Sequence, residues 1–372
     1  MIDALRMTTL DRYLENAFDA PATSGLVLAD EAHVEWWRAL AAATPRGEPL
    51  LARLREALPQ LRLPVQPGAS QHPAYDALVR QARPFEEVLD DPGIDLPPAE
   101  PFAKPESIEL SIAAHAAGAL PILAIGDRDD FVRVHRALGA RGEPIEVPPG
   151  VHALYLAGLP NPGRLREARE AWLARGGDPS GWPGEMAGRS AVDRTHFHDR
   201  IILVSPGGYG DASQGWRRHA RDEADWIEVS GGIRREHELA HHATHRLLGA
   251  YRLHLHDELV ADFMGFTAAL GTFDAALFLE CLGVPEDPRA EIPTRARLRH
   301  YASTVADADL PRLRTLVAQA AGSLERLAAR APSGAPRLEL LRAIAAEGIA
   351  GIADAGFPDR AVARLVGRGA PA

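Results

Sequence analysis

Two histidines four residues apart, His237 and His241, lie in the segment that most restricts how this chain can fold. Ser230 is suited to cap the start of a helix and Gly249 to end one, so residues 230–249 are predicted to form one helix of about five turns. Residues four apart lie on the same face of a helix. The fold must therefore accommodate two adjacent imidazoles on one helical stripe, where both can bind a single metal ion.

Glu238 places a carboxylate beside this pair. Because it follows His237 directly, it is rotated from it by roughly 100° around the helix and lies beside the metal rather than on it. A carboxylate in that position can hold and deprotonate a water molecule on the metal. This is the HExxH arrangement.

A third protein ligand is expected on the next helix. Catalytic zinc sites generally use three protein ligands and leave the fourth position to water. After a short connection, residues 250–256, apolar residues at helical spacing predict a second helix that runs antiparallel to the first. Glu258 and Asp262 then lie alongside the two histidines. We expect Glu258 to bind the metal and Asp262 to accept a hydrogen bond from a ligand imidazole.

Four other histidines lie close to these residues in the sequence. His242 is off the metal-facing stripe and is expected to pack or to face solvent. His245 is on the stripe one turn further along, so contact with the metal or the substrate stays open. His254 and His256 stay open as replacements for Glu258, which is the expected third ligand.

The composition limits the metal ligands and the partners. A single cysteine, Cys281, excludes an internal disulfide and a thiolate cluster, so histidine and carboxylate must hold the metal. With 41 basic against 51 acidic residues the net charge is −10, which disfavours a nucleic-acid partner. No stretch approaches the roughly 20 apolar residues of a membrane span, and no secretion signal is visible. We expect a cytoplasmic protein with no membrane partner.

The two predicted helices resemble those of a known group of enzymes. The sequences HELAH at 237–241 and ELVAD at 258–262 resemble the gluzincin zinc metallopeptidases, which carry HExxH and then ExxxD on the next helix. Residues 257–265 are also similar to a set of uncharacterised bacterial proteins with HExxH and DExxADxMG motifs. The metzincin pattern HExxHxxGxxH is not met, because Thr244 and Leu247 occupy two of its positions. The resemblance implies that His237, His241 and Glu258 are zinc ligands and that Glu238 is the general base. It also implies that Asp262 is the carboxylate behind one of the ligands.

Hydrolysis also needs a donor for the negative charge that develops on the attacked carbonyl oxygen. The candidates are Tyr251, close to the motif, and a downstream cluster around residues 297–301. Within this cluster Arg297 and Tyr301 are four residues apart and share a helical face. They are the best pair for this role.

The rest of the chain indicates the fold class. Residues 1–105 have the pattern of short helices that end in a proline-rich linker, and residues 106–229 that of a small α/β region. Within it, 201–204 is a candidate edge strand that could pair with an extended substrate. Residues 230–372 are mainly helical. The expected class is α+β, mainly helical, with a small mixed α/β region before a zincin-like helical metal-binding region.

Glycines are concentrated at residues 205–210, directly after the candidate edge strand. No Lys-Ser or Lys-Thr pair follows them, which favours a turn over a phosphate-binding loop. We therefore expect a turn there and no nucleotide site.

The expected function is a zinc-dependent hydrolase that cleaves an amide or peptide bond in a peptide or small amide-containing substrate. Glu238 would take the proton of the attacking water and pass it to the departing nitrogen. Two imidazoles and one carboxylate suit Zn²⁺ without excluding Fe²⁺, Mn²⁺ or Co²⁺. Two alternatives stay open: an enzyme that tailors a small metabolite or peptide natural product on the same helix pair, and a non-catalytic domain with structural zinc. A structural site would be closed by a fourth ligand such as His245 or Asp262.

Overall fold

The chain folds into two compact units. The computed structural model describes residues 9–15, 18, 27–44, 46–96, 98–210, 215–249 and 253–367. One unit, Ala29–Pro206, contains all the strands of the described residues, and we call it the sheet unit. The other unites Met1–Leu28 with Gly207–Ala372 and contains the histidine motif, so we call it the motif unit.

The described residues form helices and strands with the following bounds. The helices are α1 (Thr9–Tyr13), α2 (Val34–Ala43), α3 (Glu48–Ala57), α4 (Pro73–Tyr75), α5 (Phe85–Leu89), α6 (Arg128–Val134), α7 (Pro162–Ala174), α8 (Trp182–Val192), α9 (Glu223–Leu248), α10 (Leu255–Leu270), α11 (Ala275–Cys281), α12 (Arg297–Tyr301), α13 (Leu310–Arg330), α14 (Arg337–Ala345), α15 (Ile349–Ala353) and α16 (Phe357–Gly367). The strands are β1 (Ile108–Ala113), β2 (Leu120–Ile125), β3 (Ala153–Pro160) and β4 (His198–Val204).

The four strands of the sheet unit form one mixed sheet in the order β1-β2-β4-β3. Strands β2 and β4 are parallel, whereas β1 with β2 and β3 with β4 are antiparallel. The apolar run at 120–125 forms β2. Helical residues such as Trp37, Leu54 and Phe131 pack with Leu123 and Leu203 of the central strands to form the core. The structure confirms the predicted class, mainly helical α+β with a small mixed sheet.

The prediction that residues 201–204 form an edge strand is wrong. They belong to β4, which pairs with β2 on one side and β3 on the other. Ile201, Ile202 and Leu203 are all fully buried, as expected for a continuous apolar run in a central strand. Strand β4 therefore cannot take an extended substrate as an additional strand, and β1 and β3 are the edge strands of the described sheet.

The two units do not coincide with the three regions proposed from the sequence. The proline-rich residues 91–105 lie inside the sheet unit and lead into β1 instead of separating two compact parts. Prolines stop regular structure but still allow a chain segment to run over a surface. The junction lies at residues 206–207, well before the predicted boundary at 229/230, because α9 begins at Glu223.

A buried ion pair connects helix α7 to the central strand of the sheet unit. Asp199 of β4 is fully buried and accepts hydrogen bonds from Trp37 Nε1 at 2.7 Å, Asn161 Nδ2 at 2.8 Å and Arg164 Nε at 3.0 Å. A buried carboxylate is tolerated when it is paired and hydrogen-bonded in this way.

His33, which precedes α2, makes the sheet unit sensitive to acid. The Nε2 of its buried ring donates to the carbonyl of Arg200 at 3.0 Å. Burial lowers the pKa of His33 to about 4, although the charge of Asp199 acts in the opposite direction and raises it. Below the ordinary value of 6.5 the unfolded chain binds the proton more readily than the folded chain does. Lowering the pH from 6.5 to 4 should therefore cost the sheet unit about 3 kcal/mol.

The His33→Gln variant tests this prediction, because glutamine keeps an N–H donor and does not titrate. Hydrogen–deuterium exchange of the β4 amides is compared at pH 7 and pH 4.5, and each rate is converted into a protection factor with the intrinsic exchange rate at that pH. The protection factors should fall much less in the variant than in the wild type, and an equal fall in both proteins would contradict the assignment.

Helix α9 is longer than predicted. Asp222 caps its start by accepting from the N–H of Asp225 at 2.9 Å, so the prediction of Ser230 as N-cap is wrong. Ser230 lies inside the helix, and its hydroxyl oxygen accepts from the backbone N–H of Tyr209 at 3.0 Å. Gly249 ends the helix with a φ of 67°, as predicted.

Helix α10 packs antiparallel to α9, as predicted. Gly265 lies against Ile233 near the middle of α9, whereas Asp257 lies beside His241, two turns further along it. This direction brings the first turns of α10 alongside the histidine motif. No helix in the described part of the chain is both long and apolar enough to cross a membrane.

Candidate metal centre

Three side chains of the motif unit bring potential ligand atoms together: His237 and His241 from α9, and Glu258 from α10. The two Nε2 atoms are 3.0 Å apart, Glu258 Oε2 is 3.4 Å from His237 Nε2, and Glu258 Oε1 is 3.5 Å from His241 Nε2. Ligand atoms on a tetrahedral metal with bonds of about 2.1 Å lie roughly 3.4 Å apart. The cluster is buried, with exposures of 6%, 3% and 5%, and it could hold a metal ion.

A carboxylate lies behind each imidazole. His237 Nδ1 is 2.7 Å from Asp262 Oδ1, and His241 Nδ1 is 3.3 Å from Asp257 Oδ2. The hydroxyl of Thr244 donates to Asp257 Oδ1 at 3.1 Å and fixes that carboxylate. With the imidazole protons on the Nδ1 atoms beside these carboxylates, as metal binding requires, both Nε2 lone pairs would face each other and the glutamate. Such lone pairs repel one another unless a cation lies between them.

The charges around the cluster fit a divalent cation. Three carboxylates, those of Asp257, Glu258 and Asp262, lie against the two imidazoles. The guanidinium of Arg297 contacts two of them, with Nη2 3.5 Å from Glu258 Oε2 and 3.7 Å from Asp262 Oδ2. With neutral imidazoles, two negative charges stay uncompensated. Glu258 Oε2 is also buried without a hydrogen-bond partner among the described residues, which normally costs about 1–3 kcal/mol. A divalent ion would satisfy this oxygen and balance both charges.

The pKa shifts show how strongly the cluster attracts positive charge. Burial raises the pKa of Glu258, but its hydrogen bond with His241 and the charges of His241, His237 and Arg297 outweigh this and lower it to about 2. Burial lowers the pKa of His241, but the carboxylates of Asp257 and Glu258 raise it well above its ordinary value. Metal binding must therefore displace a proton from His241.

Arg297 and Tyr301, predicted as a pair, lie beside the cluster on α12. Arg297 donates to the Tyr301 hydroxyl oxygen from Nη2 at 3.2 Å and from Nε at 3.4 Å. Its Nη2 is also 3.7 Å from Asp262 Oδ2. Arg297 thus contacts the carboxylates of Glu258 and Asp262, whereas Tyr301 is connected to the cluster by its hydrogen bonds with Arg297.

Glu238 is buried on α9 between the two histidines in sequence. Burial lowers the pKa of the guanidinium of Arg234, one helical turn earlier, to about 10, and the charges of Tyr209 and, to a smaller extent, Glu238 oppose this. Arg234 therefore carries a positive charge at neutral pH beside Glu238.

The remaining candidates lie elsewhere. His245 is not part of the three-residue cluster, and His242 is fully buried. His254 uses one ring nitrogen to accept from the N–H of His256 at 3.1 Å and the other to contact the Tyr13 carbonyl at 3.1 Å. Both His254 and His256 lie outside the cluster. Tyr251 lies outside the described residues.

Two residues that the sequence did not predict complete the surroundings of the cluster. Tyr209 lies in the glycine-rich turn, residues 207–210, and its hydroxyl donates to Asp262 Oδ1. Tyr13 of α1 donates to the carbonyl of Tyr301 at 3.1 Å and accepts from the N–H of Leu255 at 3.2 Å. It thereby satisfies one of the free N–H groups at the start of α10. Neither tyrosine lies within a local motif that could have indicated this position.

The close approach of α9 and α10 at Gly265 is needed for the cluster. A Cβ at this position would lie 2.7 Å from the carbonyl oxygen of Ile233 and 3.4 Å from His237 Cβ. We expect Gly265→Ala to force the helices apart, to cost about 1–3 kcal/mol of stability and to weaken metal binding. Gly231→Ala is the matched control, because a Cβ there meets nothing within 4 Å and should stabilise α9 by about 0.5–1 kcal/mol. Urea unfolding and metal titration of both variants check this, and equal behaviour would contradict it.

Fold and site together define a mainly helical α+β protein in which two antiparallel helices bury a His-His-Glu cluster that could bind a metal. The chain belongs to a family of unknown function (DUF7005), which matches residues 2–353. No curated protein and no solved structure matches it.

Proposed function

We propose that this protein is a metal-dependent hydrolase of the gluzincin type that cleaves an amide or peptide bond, with zinc as the expected ion. The observation that carries the proposal is the triangle of His237 Nε2, His241 Nε2 and the Glu258 carboxylate, with edges of 3.0, 3.4 and 3.5 Å. The resemblance of HELAH and ELVAD to the gluzincin motifs supports the same reading.

The three ligands would hold a divalent ion, which supplies Lewis-acid activation of a water molecule and of the substrate carbonyl. Glu238 acts as general base. It takes a proton from the water as the bond between water oxygen and carbonyl carbon forms, and it gives that proton to the nitrogen as the C–N bond breaks. No proton is gained or lost in the sum of the two steps.

We assign to Tyr301 the donation of a hydrogen bond to the carbonyl oxygen. Among the described residues its hydroxyl oxygen accepts only from Arg297, so its own proton stays available. Burial raises the pKa of Tyr301, and the charges of Glu258 and Asp262 add to this against the opposing charge of Arg297. The hydroxyl therefore stays protonated at neutral pH and can stabilise negative charge on the attacked oxygen.

The surroundings of the cluster favour a catalytic site over a structural one. A closed structural site uses four protein ligands. Asp262 Oδ1 binds His237 on its Nδ1 side, away from the Nε2 triangle, and His245 does not join the cluster. Among the described residues, the proposed ion would therefore have three protein ligands, and its fourth coordination position would stay open.

The burial of the ligands bears on the substrate. With exposures of 3–6%, the ligand side chains present little surface to solvent. A small amide or an unstructured peptide reaches atoms buried in this way more readily than a peptide bond within a folded protein does. We therefore propose a peptide or small amide-containing substrate.

The test begins with elemental analysis of protein purified without added metal. About one equivalent of a divalent ion per chain is expected. The metal-loaded protein is then incubated with a library of peptides and N-acyl amino acids, and new amines are detected by mass spectrometry. Amide cleavage that stops with a chelator supports the proposal. Absence of metal refutes the site, and bound metal without cleavage of any amide refutes the hydrolase.

A further inference from the structure

The glycine-rich turn at residues 207–210 is fastened to α9 of the motif unit. The guanidinium of Arg234 donates to the carbonyl of Gly207 at 2.6 Å and to that of Gly208. Ser230 accepts from the N–H of Tyr209 at 3.0 Å. Three successive residues of the turn are thus held by two side chains of the helix that carries the histidines.

The other side of the turn is held by α11. Cys281 donates from Sγ to the carbonyl of Tyr209 at 3.4 Å. Gly210 has a φ of 61°, and a Cβ there would lie 2.6 Å from Cys281 Cβ, so glycine is required at this position. The turn is therefore rigid, and Tyr209 is the side chain that it presents to the cluster.

The Tyr209 hydroxyl reaches the partner of a predicted metal ligand. It donates to Asp262 Oδ1, the same oxygen that lies 2.7 Å from His237 Nδ1. Its own oxygen is 3.0 Å from His237 Nδ1. The proton on Nδ1 thus has two oxygens beside it, and the carboxylate oxygen accepts from two donors.

We infer that Tyr209 is a positioning residue for His237, acting through Asp262. The second hydrogen bond prevents the carboxylate from rotating, so its Oδ1 stays beside His237 Nδ1 and holds the ring in its orientation. The Nε2 lone pair then keeps its direction towards the metal. This inference rests on the proposed metal site and adds to it a residue outside both sequence motifs.

The Tyr209→Phe variant tests it by metal titration. The variant keeps the ring, which lies beside the guanidinium carbons of Arg234 at 5.6 Å and Arg297 at 5.3 Å and packs on Phe266, so the fold should persist. We expect Co²⁺ and Zn²⁺ to bind about 10-fold more weakly, and the visible bands of bound Co²⁺ to shift. Tyr75→Phe is the control. It removes the hydroxyl of a buried tyrosine in the core of the sheet unit and should leave the affinity unchanged.

A double-mutant cycle separates positioning from a general loss of packing. If Tyr209 acts through Asp262, then Tyr209→Phe should have no further effect on affinity in the Asp262→Asn background. The inference would be overturned if the losses of metal affinity from Tyr209→Phe and Asp262→Asn were additive and the Co²⁺ spectrum of Tyr209→Phe were unchanged. Equal metal affinities of the wild type and Tyr209→Phe would also overturn it. If the wild type takes up no Co²⁺, the metal site itself is refuted and the inference with it.

Discussion

Replacement of Glu238 by glutamine is expected to leave the metal bound and to lower the rate of amide cleavage by about 10²- to 10⁴-fold, the usual contribution of a general base. Glutamine keeps the size of the side chain but cannot accept a proton from water. Because Glu238 is next to the ligands in sequence but outside the three-residue cluster, metal content should not change. The measurement is kcat on the best substrate from the amide library, with metal content determined on the same sample.

Glu236→Gln is the matched control for this change. Glu236 lies on the same helix two residues earlier, is partly exposed, and contacts Arg337 at 3.8 Å. An exposed pair of this kind contributes little, so its loss should leave both metal and rate unchanged. A Glu238→Gln protein with wild-type kcat would remove the general base from the mechanism. A Glu238→Gln protein without metal would show that the residue acts on the ligands instead.

The metal cluster could be predicted because its geometry follows from local rules. The four-residue spacing of His237 and His241 fixes their common face on any α-helix, and the short connection makes α10 antiparallel to α9. Glu258 and Asp262 are four apart on the second helix and so share a face as well. These positions depend on helix periodicity and one short connection, both of which are readable from sequence.

Features that depend on contacts between distant segments could not be read in this way. Tyr209 reaches Asp262 because Arg234 and Cys281 hold its turn, and no spacing rule links these residues. The edge-strand prediction for 201–204 was wrong for a related reason. An apolar run indicates a buried strand, but which strands flank it depends on the pairing of the whole sheet.

The start of α9 shows how local signals compete. Ser230 is a good N-cap residue and is followed by two glycines, so the sequence favours a helix that begins there. The actual cap, Asp222, is eight residues earlier. The helix continues through Gly231 and Gly232, where the packing of α10 compensates for the weak helix propensity of glycine. Gly232 lies close to Ala269 of α10, which illustrates this packing.

The second large effect is expected from Glu258→Gln, which should abolish tight metal binding. Structural zinc sites gain about 10–16 kcal/mol in total, so one ligand of three is worth roughly 4 kcal/mol, or about a thousand-fold in affinity. An amide is a poor replacement, because it also removes one of the two negative charges that a divalent ion would balance. Dialysis against Zn²⁺ followed by elemental analysis measures the loss.

Thermal unfolding gives an independent measure of the same change. At a free metal concentration of about a thousand times Kd, binding stabilises the wild type by about 4 kcal/mol, which a chelator should remove as a fall of roughly 10 °C in Tm. The Tm of Glu258→Gln should not respond to the chelator, because that protein has no metal to lose. The conservative Glu347→Gln, at a carboxylate that pairs with Arg360 and Arg364 away from the cluster, should respond as the wild type does. If the chelator lowered the Tm of Glu258→Gln and of the wild type by the same amount, the carboxylate of Glu258 would not be a ligand. The cluster would then be a hydrogen-bonded group of buried side chains whose charges are balanced by protonated histidine.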